Sequence, residues 1–184
     1  MLRFECKGWL AQRPDFLMRI HDVLGPSNVK LPLEARDRRG ALEELVDLLA
    51  ADGAIASRRD EVLAAIHARE GLMTCAIGRG VAIPHADLAT PIPMTMALGI
   101  SPAGFDYGAP DGKPVHIVLL MIASRDQARE RIEVLSAFSR MMRKESVRQE
   151  LLRARSTEEA LATLYREADS SQGAEGGAAP RPAA

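Results

Sequence analysis

The sequence predicts an α/β (α+β) fold, a small mixed β-sheet with helices on both faces. Three observations carry this expectation. Val115-His116-Ile117-Val118-Leu119-Leu120-Met121-Ile122 is almost continuously apolar, as a strand covered on both faces reads. Apolar residues recur at helical spacing both before and after the strand-rich middle of the chain, so helices are available for both faces. The 184 residues, 47% hydrophobic and 27% charged, suit one globular domain with tails. The expected organisation is an N-terminal extension (1–13), a folded domain (14–168) and a disordered Ala/Gly/Pro-rich tail (169–184).

Residues 1–13 have no clear period, and Trp9 and Phe4 are either packed or part of a mobile extension. Pro14 suits a first helical turn, and Phe16, Leu17, Ile20 and Leu24 form a stripe ending near Gly25-Pro26. His21 lies off that stripe and reads as a surface residue. Val29-Lys30-Leu31-Pro32-Leu33 alternates, and its internal proline confines it to an edge or a strand end. Asp37 is positioned to cap a helix with Leu42, Leu45, Val46 and Leu49 inward and Gly53 at its end. Ser57 and Asp60 resemble a capping box for a helix burying Val62, Leu63 and Ile66 and ending at Gly71. His67, beside Ile66, has no ligand partner in the pattern.

Val81 to Ile83 reads as a very short strand and Met94 to Ile100 as another. Phe105 to Lys113 is rich in Gly, Pro and Asp and forms a connection. His116 begins the long apolar strand and reads as structural. Three helices follow. Ile132, Leu135, Phe138 and Met142 mark the first, Val147, Leu151 and Leu152 the second, and Ala160, Leu161 and Leu164 the third. Ser156 with Glu159 forms a capping box for the last.

Composition excludes several functions. Net charge is −1 and aromatics are 4%, so neither a basic footprint nor a stacking surface for nucleic acid is present. No stretch approaches the roughly 20 apolar residues that span a bilayer, so direct membrane insertion is not expected. The N-terminus lacks an uninterrupted apolar signal region. Cys6 and Cys75 form no disulfide or metal pattern, and the chain reads as cytoplasmic.

The candidate site centres on Ile77-Gly78-Arg79-Gly80-Val81-Ala82-Ile83-Pro84-His85-Ala86. Gly78 and Gly80 permit unusual backbone angles or a close approach. Pro84 fixes φ just before His85 and holds the imidazole at a strand end. A P-loop needs Gly-Lys-Ser or Gly-Lys-Thr, which is absent, and a dinucleotide fingerprint needs a third glycine where Ile83 stands. Neither a zinc-binding histidine pair nor a Gly-x-Ser-x-Gly elbow occurs. What remains is an imidazole, of unperturbed pKa about 6.5, near glycines and an arginine. It can accept a group covalently, and phosphoryl is the group that most needs arginines and backbone N–H donors. A purely structural turn histidine fits the same residues.

The stretch Arg69-Glu70-Gly71-Leu72-Met73-Thr74-Cys75 continuing through Ile83-Pro84-His85-Ala86 resembles the active-site signature of one family. This is the EIIA component of the bacterial phosphoenolpyruvate-dependent phosphotransferase system, of the fructose/mannitol and nitrogen-regulatory type. The similarity runs from about Ile20 to Leu164-Tyr165 and includes Asp111-Gly112-Lys113-Pro114-Val115-His116. It implies that His85 accepts phosphoryl from an HPr-like phosphocarrier protein and passes it to an EIIB domain or a regulatory target. It implies that Arg69 helps hold the phosphoryl group, that Thr74 offers a hydroxyl, and that Gly78 and Gly80 bring backbone close to the site. No metal or nucleotide cofactor is implied.

Two departures stand out. Cys75 replaces a hydroxyl residue, and a thiol is a weak donor. Arg131, in Arg131-Ile132-Glu133-Val134-Leu135-Ser136, replaces a second histidine common in the family. Near a helix N-terminus, its fixed charge suits phosphate binding but not proton exchange. Three functions stay open: a sugar-system phosphocarrier, a regulator that reports phosphoryl supply, and a binding module of the same fold without transfer.

Overall fold

The computed structural model describes residues 20–53 and 55–175, the last five by backbone alone. The 1–13 extension, and Pro14, Phe16 and Leu17 of the first expected helix, lie outside the described residues. A short helix α1 (Ile20–Val23) leads to strand β1 (Val29–Lys30). Helices α2 (Arg38–Ala51) and α3 (Arg59–Leu72) follow. Five strands come next: β2 (Ala76–Gly78), β3 (Val81–Ala82), β4 (His85–Leu88), β5 (Thr95–Phe105) and β6 (Val115–Ser124). Helices α4 (Ala128–Arg143), α5 (Glu145–Arg153) and α6 (Thr157–Glu175) complete the described chain.

The expected mixed sheet is present, in the order β1-β5-β6-β3-β2, with β4 also on β6. The β5–β6 and β2–β3 pairs are antiparallel; β1–β5, β3–β6 and β4–β6 are parallel. Strands β3 and β4 share one edge of β6 in succession, Val81 opposite Ile117 and His85 opposite Met121. Alternation along β6 divides the core between two layers. Ile117, Leu119, Met121 and Ala123 pack with Val134, Phe138 and Leu164 of α4 and α6. Val118, Leu120 and Ile122 pack with Leu42, Leu45, Leu49 and Ile66 of α2 and α3. Burying each such side chain fully contributes roughly 1.5–3 kcal/mol, so the central strand anchors both layers.

Local expectations fare unevenly. Asp37 accepts a hydrogen bond from the Gly40 N–H at 2.8 Å and caps α2, whose turn after Ala51 closes at Gly53 with φ of +88°. The Ser57 box does not form: a 3-10 turn (Ala56–Arg58) precedes α3, which has no side-chain cap. Glu159 does receive its cap, donating its N–H to Ser156 Oγ at 3.3 Å. A capping box of Ser124 and Gln127 at the turn into α4 went unread.

On α4, Ile132 is 57% exposed, while Val134 and Met141 join Phe138 and Met142 in the core. The apolar stripe is rotated because α4 packs on the sheet and on α5 and α6 together. The helix expected to stop at residue 168 continues to Glu175. His21 stacks on Tyr165 with ring centroids 3.9 Å apart and lies 3.3 Å from Asp169, tying α1 to that extended helix. Residues 176–184 lie outside the described residues.

Candidate active site

Strand β4 begins at His85, so the ring is held by a paired backbone and not by a loop. The Ile83 N–H donates to the Cys75 carbonyl at 2.9 Å, and the Met121 N–H donates to the Pro84 carbonyl at 2.9 Å. These bonds fix the turn from both sides. Alternation then sends Ala86 and Leu88 into the α2–α3 layer and turns His85 and Asp87 toward the α4 layer.

The imidazole is half-buried, with Nδ1 3.0 Å from the Ile83 carbonyl oxygen. A carbonyl only accepts, so Nδ1 carries the proton and the ring's lone pair sits on Nε2. Burial lowers the His85 pKa, and the positive charges of Arg69 and Arg131 lower it further, against the Nδ1 bond and Asp87. At neutral pH the ring is therefore an uncharged nucleophile in a cationic setting. Arg69 ends α3 and donates from Nη1 to the Met73 carbonyl at 3.0 Å. Arg131 comes from the first turn of α4, with Nε 3.0 Å from Asp87 Oδ1.

A buried network supports the turn. Glu70, 5% exposed, accepts from the Tyr107 hydroxyl at 2.7 Å and from the Cys75 N–H at 3.3 Å. Arg38 Nη1 lies 3.7 Å from its other oxygen. A buried carboxylate needs such partners, and these tie α3 to the backbone leading into the site. Cys75 Sγ lies 4.0 Å from His85 Nδ1. Burial and the Glu70 charge push its thiol up to about 11, so it stays protonated beside the ring.

Of the expected residues, the fold brings Arg69 and Arg131 to His85 from opposite layers. Thr74 Oγ1 accepts from the Ala76 N–H at 3.3 Å, which leaves its own proton available. Gly78 and Gly80 are corrected. Both have φ of +77° and form, with Arg79 at +58°, the β2–β3 turn. That turn sits beside Ile117, four residues along β6 from His85's partner Met121, or about 13 Å at strand rise. A Cβ on Gly78 would meet Asp111 Oδ2 at 3.1 Å, and one on Gly80 would meet His116 at 3.1 Å. These glycines shape a turn and do not bring backbone to the imidazole. His116 donates from Nδ1 to the Ser101 carbonyl at 3.1 Å, as a structural histidine would.

Sequence reading missed Asp87, Tyr107 and Arg38, and it left Glu70 without a role. Only Asp87 carried a signal: two residues after His85, it shares a face if the chain continues as a strand.

Fold and site together define a small α/β protein with a half-buried histidine whose Nε2 is unprotonated and on which the charges of two arginines act. The family model for the EIIA 2 component of the phosphoenolpyruvate-dependent sugar phosphotransferase system matches residues 22–167, and the chain belongs to that family. It is 33% identical over 152 residues to the fructose-specific EIIABC component of Bacillus subtilis, covering 83% of this chain and 24% of that protein. The chain thus spans about a quarter of that relative's length. It is 36% identical over 119 residues to a fructose-specific EIIA component of Haloferax volcanii, 65% of this chain and 77% of that one. The crystal structure of nitrogen regulatory protein IIA-Ntr from Neisseria meningitidis superposes with a TM-score of 0.73 at 30% identity, covering 79% of this chain and 98% of that one. Among the described residues, no helix is long and apolar enough to cross a membrane.

Proposed function

We propose that this chain is a phosphocarrier in which His85 Nε2 accepts a phosphoryl group from an HPr-like protein and passes it to an EIIB domain. The observation that carries the reading is the ring itself: Nδ1 is committed to the Ile83 carbonyl, which leaves the lone pair on Nε2, and the charges of Arg69 and Arg131 both act on the ring. In the first step the Nε2 lone pair attacks phosphorus in line with the donor's phosphorus–nitrogen bond. The new N–P bond forms as the old one breaks, and its electron pair returns to the donor ring. The proton stays on Nδ1, donated to the Ile83 carbonyl, throughout. Arg69 and Arg131 offset the charge on the phosphoryl oxygens, where phosphoryl transfer gains most. The Thr74 hydroxyl is a further donor.

Leu72 is 84% exposed and Met73 67%, beside Arg69, and Ile132 is 57% exposed beside Arg131. Exposed apolar side chains around a charged centre suit a protein partner better than a small free substrate. The EIIABC relative carries A and B components in one protein by its name, which supports EIIB as the acceptor. The Neisseria structure is named a nitrogen regulatory protein, and that name favours a second reading in which the phosphorylation state of His85 is itself the signal.

The test mixes the full chain with phosphoenolpyruvate, the general phosphotransferase enzyme and HPr. Acid-labile phosphate should appear on the wild type and be absent from His85→Ala. Failure of the wild type to take label while HPr does would leave the binding-module reading. Presenting an EIIB domain then separates onward transfer from retention as a signal.

A further inference from the structure

We propose that Asp87 is a positioning residue that acts through Arg131, holding its guanidinium over the face of His85 that receives phosphoryl; this rests on the phosphocarrier reading of His85. Strand alternation places Asp87 on the same face of β4 as His85. Arg131 meets it from α4, with Nε 3.0 Å from Oδ1, and the two side chains are 15% and 33% exposed. Both atoms are buried, and neither has a hydrogen-bond partner. The N–H is not aimed at the oxygen, so the contact is one of charge alone.

A guanidinium held by charge alone, with its buried Nε unmatched, gains from a further acceptor. The position beside Nε2 is where a phosphoryl oxygen would supply it. Asp87 engages the Nε edge, which leaves the Nη pair for phosphate in the forked geometry that arginine alone provides. Without Asp87, a first-turn arginine is free to extend into solvent. A carboxylate on the phosphoryl face also repels the incoming anion, so Asp87 helps transfer only while Arg131 stands between them. The two residues therefore act as one unit, with a sign that depends on the arginine.

The experiment is a double-mutant cycle on the full chain with Asp87→Asn, Arg131→Ala and the pair, read as the rate of phosphoryl transfer from phospho-HPr. Asp87→Asn should slow transfer severalfold when Arg131 is present, and by no more than the roughly tenfold cost of losing Arg131 itself. In the Arg131→Ala background the same change should cost nothing or raise the rate. An equal cost in both backgrounds, or no cost with Arg131 present, overturns the proposal.

The same four proteins, unphosphorylated, give the His85 pKa by NMR. Asp87→Asn should lower it clearly in the Arg131→Ala background. It should lower it little when Arg131 is present, because the released cation moves away as the anion is lost. Simple additivity of the two shifts also overturns the proposal. This second cycle needs no transfer, so it judges the Asp87–Arg131 coupling even if the wild type takes no label and the phosphocarrier reading fails.

Discussion

Arg69 and Arg131 carry the same charge and act on the same imidazole, yet the fold holds them differently. Arg69 ends a helix of one layer and rests on a neutral acceptor, the Met73 carbonyl. Arg131 starts a helix of the other layer and rests against a carboxylate, Asp87. A neutral partner orients a cation and leaves its charge intact, whereas a carboxylate offsets part of that charge while fixing its place. In the proposed reaction Arg69 is therefore the stronger stabiliser of the phosphoryl group and Arg131 the more tightly placed one.

Arg69→Ala should have the largest effect, slowing transfer from phospho-HPr on the order of 10²- to 10³-fold, as loss of a preorganised charge stabiliser does. Circular dichroism and the melting temperature should stay close to wild type. Equal effects of Arg69→Ala and Arg131→Ala would erase the distinction. Arg131→Ala should slow phosphorylation of His85, or shorten the life of its phosphorylated form, by about tenfold, since Asp87 already offsets part of its charge. Unchanged rate and lifetime would remove Arg131 from the site.

The layer that carries Arg69 is tested through stability. Glu70→Leu strips the Tyr107 hydroxyl and the Cys75 N–H of their acceptor. It should cost about 1–3 kcal/mol for each group left unsatisfied, measured by urea unfolding. A loss no larger than that of Leu72→Ser at the exposed end of α3 would deny the network its role.

The smallest effect is the pH dependence. The folded protein lowers the His85 pKa, so the unfolded chain binds the proton more readily. The stability this gives is complete above the unfolded value near 6.5 and is lost as pH falls through the folded value. His85→Ala should flatten that acid limb slightly in denaturation curves below pH 6.5. A limb as steep as in wild type would place the sensitivity elsewhere.

How much of this was readable in the sequence depends on how far apart the interacting residues lie. Asp37 and Gly53 bound α2 through contacts within a few positions, and both were readable. Strands β2 and β4, three and four residues long, were not, because neighbours far along the chain define them: β4 exists by pairing with β6. On α4, positions 132, 135, 138 and 142 fit a helical stripe as well as positions 134, 138, 141 and 142 do. The periodicity establishes a helix and leaves its rotation open. At the site, Pro84 and the resemblance located His85, Arg69 and Arg131, while Glu70 gained its role only through Tyr107, 37 residues away.

The sequence by itself determined the layered α/β class, the turn that presents His85 and the replacement of a second histidine by Arg131. The first two follow from composition, short-range periodicity and residues close together in the chain; the third is what the resemblance of Arg131–Ser136 to the family's segment implies. Only the tertiary structure decided which ring nitrogen is free, that the Gly78–Gly80 turn belongs to a distant strand pairing, and that Arg131 meets Asp87. Each of those depends on strand register or helix rotation, which the packing of remote segments sets.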